Sequence, residues 1–219
     1  MDDVLIIGAG GHAREIAYLL KDINKKKRTF SLKGFIDDDP ELKGKEVIGL
    51  PVTDSLENLL ASHEAPMNLI MGIGNPSLKR SMFQRTIGHD IEWPNIIHPS
   101  ARIVEKSHLG KGIVFFPNCV ISTETDIGDF TCFNTGVSVS HDSRIGRFTT
   151  INPGCFINGE VRVGDCAYIG SSAVIINRVT VGDYAIIGAG AVVIKDIPQN
   201  TTSVGNPSKV IKVQNPGGK

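Results

Sequence analysis

Residues 127–144 read IGDFTCFNTGVSVSHDSR, residues 145–162 read IGRFTTINPGCFINGEVR, and residues 163–180 read VGDCAYIGSSAVIINRVT. Each window opens on an aliphatic residue and a glycine: Ile127-Gly128, Ile145-Gly146 and Val163-Gly164. The same pair stands one window earlier at Leu109-Gly110 and one later at Val181-Gly182. A fixed 18-residue repeat decides architecture before any local propensity does. Within it lies a finer step of six. From Ile97 through Ile103, Leu109, Phe115 and Ile121, and on to Val193, all seventeen positions hold a large apolar residue. In a chain that is 41% hydrophobic, chance does not produce that run.

A second register accompanies the first. Two positions earlier stands a small or β-branched residue almost throughout, as at Cys119, Thr125, Thr131, Val137, Ser143, Thr149, Cys155 and Ala167. A period of six fits neither a 3.6-residue helix nor a long alternating strand. It fits a prism of short strands and corners. Three sixes close one coil, and coils stack at the strand spacing of about 4.8 Å. One large and one small side chain per strand fill the narrow interior. Residues 97–193 hold five coils and a fraction, with no insertion.

The ninety residues before the repeat read differently. Val4–Ile7 is a short apolar strand, Gly8-Ala9-Gly10-Gly11-His12-Ala13 follows, and Arg14 to Leu20 reads as a helix. Strand, glycine turn and helix together form an anion-binding arrangement, with backbone N–H groups facing a phosphate. A second strand, Gly34-Phe35-Ile36, ends in Asp37-Asp38-Asp39. A third, Leu69 to Gly72, ends in the turn Gly74-Asn75-Pro76. A full dinucleotide fold needs two such halves. Only one fits before the repeat, so a mononucleotide or nucleotide-sugar site is expected rather than an NAD site. The run Lys25-Lys26-Lys27-Arg28 reads as a solvated helix end. The expected division is 1–93 for this half-Rossmann α/β domain, 94–196 for the β-helix and 197–219 for a tail.

Composition bounds the function. The chain has 219 residues, with Lys+Arg 23 and Asp+Glu 23, so its formal net charge is zero. That disfavours a basic nucleic-acid surface and an acidic disordered tail. No run of 18 apolar residues is present, and Met1-Asp2-Asp3 is acidic where a signal peptide is basic. A cytoplasmic protein without membrane insertion is expected. The four cysteines, 119, 132, 155 and 166, show no metal-ligand spacing. No metal is expected, and Cys119 and Cys155 read as small buried residues.

His141-Asp142 is the candidate chemical pair. The repeat puts His141 two positions after Val139, in the slot filled elsewhere by Asp129, Asp165 and Asp183, which are turn residues. His141 is therefore expected at a corner, pointing outward. Eighteen residues on stands Gly159, which leaves room above the imidazole and can present a backbone N–H. Asp142 adjoins and can orient the ring.

The coils resemble the left-handed parallel β-helix of hexapeptide-repeat acyltransferases. The left hand is implied by that resemblance alone, since general crossover geometry favours the right. With the glycine turn, the Asp37-Asp38 strand end and His141-Asp142, the whole chain resembles the NeuD/PglD family of sugar acetyltransferases. The resemblance implies transfer of acetyl from acetyl-CoA to the 4-amino group of a UDP- or dTDP-linked 4-amino-4,6-dideoxysugar. Its closest competitor is a sialic acid O-acetyltransferase. The resemblance implies His followed by an acid, commonly Glu, in the 4-amino-sugar enzymes, where this chain has Asp142. The resemblance also implies substrate roles for Gly10, Gly11, His12, Arg14, Asp37, Asp38, Gly74, Asn75 and Asn134. It implies cosubstrate contacts at Thr150, Gly159, Ser171, Ala189 and Lys209, and a homotrimer with shared sites. Lys209 lies in Gly205-Asn206-Pro207-Ser208-Lys209, similar to a family ending near coenzyme A.

Plainer readings stand beside these. Gly10 and Gly11 can serve only a tight turn, Asp37 and Asp38 can simply end a strand, Asn134 can bond between coils, and Lys209 can be solvated. A zinc-bearing γ-type carbonic anhydrase shares the prism, but the repeat offers only His98, His108 and His141. A non-catalytic trimeric sugar-nucleotide scaffold is the remaining rival.

Overall fold

The apolar run Val4–Ile7 lies inside a strand, β1 (Asp2–Ile7), at the centre of a parallel sheet. The computed structural model of the chain describes residues 1–62 and 67–214. One compact unit comprises Met1–Gly74 and Leu78–Pro99, and a second comprises Asn75–Ser77 and the chain from Ser100 onward.

In the first unit β1 is followed by α1 (Gly11–Lys26), β2 (Phe30–Ile36), the short pair β3 (Glu46–Val47) and β4 (Leu50–Pro51), and α2 (Leu56–Ser62). Then come β5 (Met67–Met71), α3 (Pro76–Arg85) and β6 (Ile91–Glu92). The main sheet runs β2-β1-β5-β6, with every pairing parallel. β1 contributes Val4, Ile6 and Ile7 to the core, as a central parallel strand should. α1 buries Ala13, Ile16, Ala17, Leu20 and Ile23, a spacing of three and four that makes one apolar stripe. Its last turn carries Lys25 and Lys26, where cations suit the helix dipole. Gly72 ends β5 against this stripe. A Cβ there would collide with Ile6, lie 2.7 Å from the Ile7 carbonyl oxygen and 2.9 Å from the Ala13 Cβ.

In the second unit two-residue strands recur every six residues, from Arg102–Ile103 to Val192–Val193. Those up to Val174–Ile175 pair in parallel with the strand 18 residues on, as in Ile127↔Ile145, Ile145↔Val163 and Val163↔Val181. The strands form three walls. From Phe115 to Val193 every sixth residue points inward and is at most 4% exposed. Ile97, Ile103 and Leu109, at the start of the series, are half-buried. The small residues of the second register are fully buried too, and their polar atoms are satisfied. Thr131 Oγ1 donates to the carbonyls of Gly128 and Gly146, both at 2.9 Å. Ser143 Oγ donates to Asn158 O at 2.9 Å, and Cys155 Sγ to Gly170 O at 3.0 Å. All four cysteines are buried and none forms a disulfide, and burial pushes the Cys119 thiol up to about 11.

Corners form where every sixth residue from 106 to 190 takes positive φ. Only four of these are glycine; the rest include Phe130, Asp142, Phe148, Glu160 and Arg178. That conformation is strained for a residue with a Cβ. It is held where the corner amide donates to the coil before, as every one from Phe130 to Gly190 does; Phe148 N reaches Asp129 O at 2.8 Å. Beyond the last coil, Thr201–Val204 continues one wall and Lys209–Val213 pairs antiparallel with it.

Phe115 and Phe133 stack inside the prism with ring centroids 4.7 Å apart. Phe133→Ala leaves a cavity that neighbouring coils, fixed in register, cannot close. We expect a loss of about 3–5 kcal/mol in urea unfolding. A loss below about 1 kcal/mol would contradict a packed interior at this layer.

Candidate active site

The strand Ser138–Val139 ends one coil edge and delivers His141 to the corner that follows. Asp142, the next residue, takes φ 58°. The corner is tied on both sides: Asp142 N donates to Thr123 O at 3.3 Å, and Glu160 N donates to His141 O at 2.9 Å. This backbone turn brings the Asp142 carboxylate to 2.7 Å from His141 Nδ1. Both side chains are about half exposed. With Nδ1 as the donor, Nε2 keeps its lone pair and can accept a proton.

The imidazole lies directly on Gly159. A Cβ at Gly159 would fall 2.7 Å from both Cε1 and Nε2 of His141. The glycine is thus required by space, not by its backbone angles. Gly159 O accepts from Arg178 N at 3.1 Å, while among the described residues the Gly159 amide donates no hydrogen bond. A proton acceptor and an unengaged amide donor meet at one corner. That pairing suits proton abstraction with stabilisation of a developing oxyanion.

An open groove of about 1000 Å³ runs along the wall beside this corner. Its charges mostly cancel across coils. Lys106 faces Glu124 at 3.8 Å, Arg144 faces Asp126 at 3.3 Å, and Arg178 faces Glu160 at 3.0 Å. The Arg178 guanidinium holds the Glu160 carboxyl below its usual range. Arg162 lines the same groove and has no carboxylate partner among the described residues.

The first unit holds the second cluster. α1 starts after Gly10 with no side-chain cap and no acid in its first turn. A helix N-terminus of this kind suits an anion. A Cβ at Gly10 would meet nothing within 4 Å, and one at Gly11 only the Arg14 guanidinium at 3.9 Å. Gly74 adjoins the His12 ring, 3.8 Å from where its own Cβ would be. His12 is mostly buried. Burial, and then the nearby Lys79 cation, lower its pKa against the opposing pull of Glu15. Asp37 braces the turn: Oδ2 accepts from Ala9 N at 2.8 Å and Oδ1 from Asp39 N at 3.0 Å. Asp38 turns away from it, pairs with Arg85 and accepts from Leu56 N at 3.1 Å.

The remaining sequence-derived positions are not at the His141 corner. Asn134 lies on another corner, where its Nδ2 donates to Ile151 O at 3.2 Å, and Asn152 repeats that bond to Ile169 O at 2.8 Å. Asn134 therefore belongs to a ladder between coils. Ser171 and Ala189 stack, exposed, one coil apart on that edge. Thr150 is a buried wall residue, Asn75 is exposed, and Lys209 is exposed in the last strand. Among the described residues no three His, Cys, Asp or Glu side chains gather to hold a metal. Sequence reasoning passed over Lys79, 1% exposed, and Arg85. Lys79 sits with Pro76 on the buried side of α3, with buried Thr86 just past its end, so a charge at an apolar helical position was the available signal.

Comparison with known proteins follows the same division. Residues 3–86 match the PglD N-terminal domain, and residues 160–195 match the bacterial transferase hexapeptide (six repeats). Over 126 residues the chain is 35% identical to the GDP-perosamine N-acetyltransferase of Escherichia coli O157:H7. The match spans 57% of this chain and little more than half, 56%, of that enzyme. The fold is similar to the H141N mutant of perosamine N-acetyltransferase from Caulobacter crescentus in complex with CoA and GDP-perosamine. That pair is 31% identical with TM-score 0.88, covering 97% of this chain and 98% of the other. It is also similar to the acetyltransferase domain of PglB from Neisseria gonorrhoeae FA1090 in complex with acetyl coenzyme A. There the identity is 28% and the TM-score 0.84, covering 95% and 98%.

Two outcomes test this geometry. Gly159→Ala should drive the imidazole off its seat, visible as a displaced ring in a structure of the variant; an unmoved ring would contradict the contact. Asp38 sits below the ordinary carboxylate value, first through Arg85, with the Leu56 amide adding. Its stabilising contribution is present above the unfolded value near 4 and is lost as pH falls through the lower folded value. Asp38→Asn should therefore unfold at lower urea than wild type at pH 7, with the gap closing at pH 3. An equal gap at both would contradict the pairing.

Proposed function

The chain belongs to the NeuD/PglD family of hexapeptide-repeat sugar acetyltransferases, and on that basis we propose that it moves acetyl from acetyl-CoA to the amino group of a nucleotide-linked sugar. The observation that carries this reading is the His141 imidazole, held through Nδ1 by Asp142 and seated on Gly159. His141 Nε2 takes the proton of the sugar amine as that amine attacks the thioester. Asp142 stabilises the imidazolium that results. The Gly159 amide donates to the oxyanion that forms at the thioester carbonyl. His141 then returns the proton to the departing thiolate. The H141N variant of the Caulobacter crescentus relative, crystallised with both ligands, supports placing a histidine in this role.

The acceptor proposed is the 4-amine of a 4-amino-4,6-dideoxysugar. Sequence reasoning pointed to UDP or dTDP, whereas two relatives are named for GDP-perosamine. GDP therefore joins the candidates. The glycine turn, His12, Arg14, Asp37, Asp38, Gly74 and Asn75 are proposed to contact the nucleotide. Thr150, Ser171, Ala189 and Lys209 are proposed to contact the acetyl donor. Ser171 and Ala189 lie on a different edge of the prism from His141, which supports a homotrimer in which one copy completes another's site. No helix among the described residues is long and apolar enough to cross a membrane. A cytoplasmic location is part of the same proposal.

The test is thiol release from acetyl-CoA with GDP-, UDP- and dTDP-linked 4-amino-4,6-dideoxysugars, and with sialic acid for comparison. We expect rapid release with one nucleotide amino sugar, and a fall in kcat of about 10²–10⁴-fold in His141→Ala. Release with sialic acid alone, or an undiminished kcat in the variant, would contradict the assignment.

A further inference from the structure

The groove beside His141 leaves one positive charge unanswered. Along its wall the outward side chains of Asp126, Arg144 and Arg162 stand in strict register, each opposite the next. Two arginines thus face each other across a parallel pairing, separated by about 4.8 Å of backbone. Like charges so placed oppose folding of the ladder. Asp126 answers Arg144 at 3.3 Å, and Glu160 answers Arg178, but no carboxylate among the described residues answers Arg162. Its position is also particular. Arg162 follows Gly159 by three residues in the same coil, and Gly159 lies under the imidazole. The unbalanced guanidinium therefore opens onto the groove next to the reacting corner.

We infer that Arg162, with Arg144 behind it, binds a phosphate group of a substrate. A guanidinium offers a planar fork of donors that matches phosphate oxygens, and a second one adjacent in register extends the match. The bound phosphate would also remove the repulsion between the two arginines. This inference rests on the acetyl-transfer reading above. Under that reading both substrates carry a diphosphate, so the ligand chemistry is fixed while its source is either the acetyl donor or the nucleotide sugar.

The test uses the full chain and compares wild type, Arg162→Ala and Arg162→Lys. KM is measured separately for acetyl-CoA and for the nucleotide amino sugar. Kd is measured by calorimetry for CoA, GDP, UDP and dTDP, which needs no turnover. Loss of a charge-assisted contact in Arg162→Ala should raise KM and Kd roughly 10- to 100-fold for one of the two substrates. Arg162→Lys should fall between, because it keeps the charge and loses the fork. A rise confined to acetyl-CoA and CoA assigns the phosphate to the donor; a rise confined to the sugar nucleotide and its nucleoside diphosphate assigns it to the acceptor. Changes below about two-fold for every ligand overturn the inference, as does wild type that binds none of the four. A change in oligomeric mass in Arg162→Ala also overturns it, since Arg162 would then answer a carboxylate of a second copy. If wild type binds but turns nothing over, the Kd comparison still decides the phosphate site, and only the transferase reading fails.

Discussion

Every coil of the prism is tied to the next by backbone hydrogen bonds from one residue to the carbonyl seventeen positions on. Gly128 N to Ile145 O at 2.8 Å, Gly146 N to Val163 O at 2.7 Å and Gly164 N to Val181 O at 2.8 Å are consecutive rungs. This tie leaves no freedom of register. A side chain at one position must lie over the side chain 18 residues later. His141 therefore rests on Gly159, Phe130 stacks on Phe148 at 5.2 Å, and Arg144 faces Arg162. A single inserted residue between 144 and 148 would break all of these at once. The catalytic geometry proposed here is a consequence of a repeat without insertions, more than of any local motif.

The same tie explains how the corners tolerate their strain. Left-handed backbone at Phe130, Asp142 or Phe148 is unfavourable for each residue alone. Each corner amide gains a hydrogen bond to the preceding coil in return. At Asp142 the turn does more. It carries the carboxylate back to the imidazole beside it, an approach that adjacent residues in extended chain do not make. The short Asp142 side chain thereby reaches Nδ1 at 2.7 Å.

What was legible in the sequence was whatever followed a period. The interior of the prism, its coil length and the corner position of His141 all follow from steps of six and 18. The glycine turn and the strands around it follow from short-range pattern. What was not legible depended on distance along the chain. Asp38 reads as a strand-end acid free to meet a ligand, yet Arg85, far away in sequence, occupies it. The pairing of Asp126 with Arg144 and the isolation of Arg162 emerge only when coils are laid over each other. Corner residues with positive φ also escaped, because Phe, Tyr, Arg and Cys stand where Gly, Asn or Asp is the usual signal. Lys79 shows the opposite failure: its signal was local, a charge on a buried helical stripe, and was passed over.

The central claim is that the His141 corner acetylates an amine. Locating the acetyl group in the product tests it most directly. Wild-type protein would be incubated with acetyl-CoA and the accepted nucleotide sugar, and the product examined by NMR and by hydroxylamine treatment. The account predicts one acetyl per sugar, held as an amide at the former amine and resistant to hydroxylamine. An acetyl released by hydroxylamine, and so attached to a hydroxyl oxygen, would contradict it.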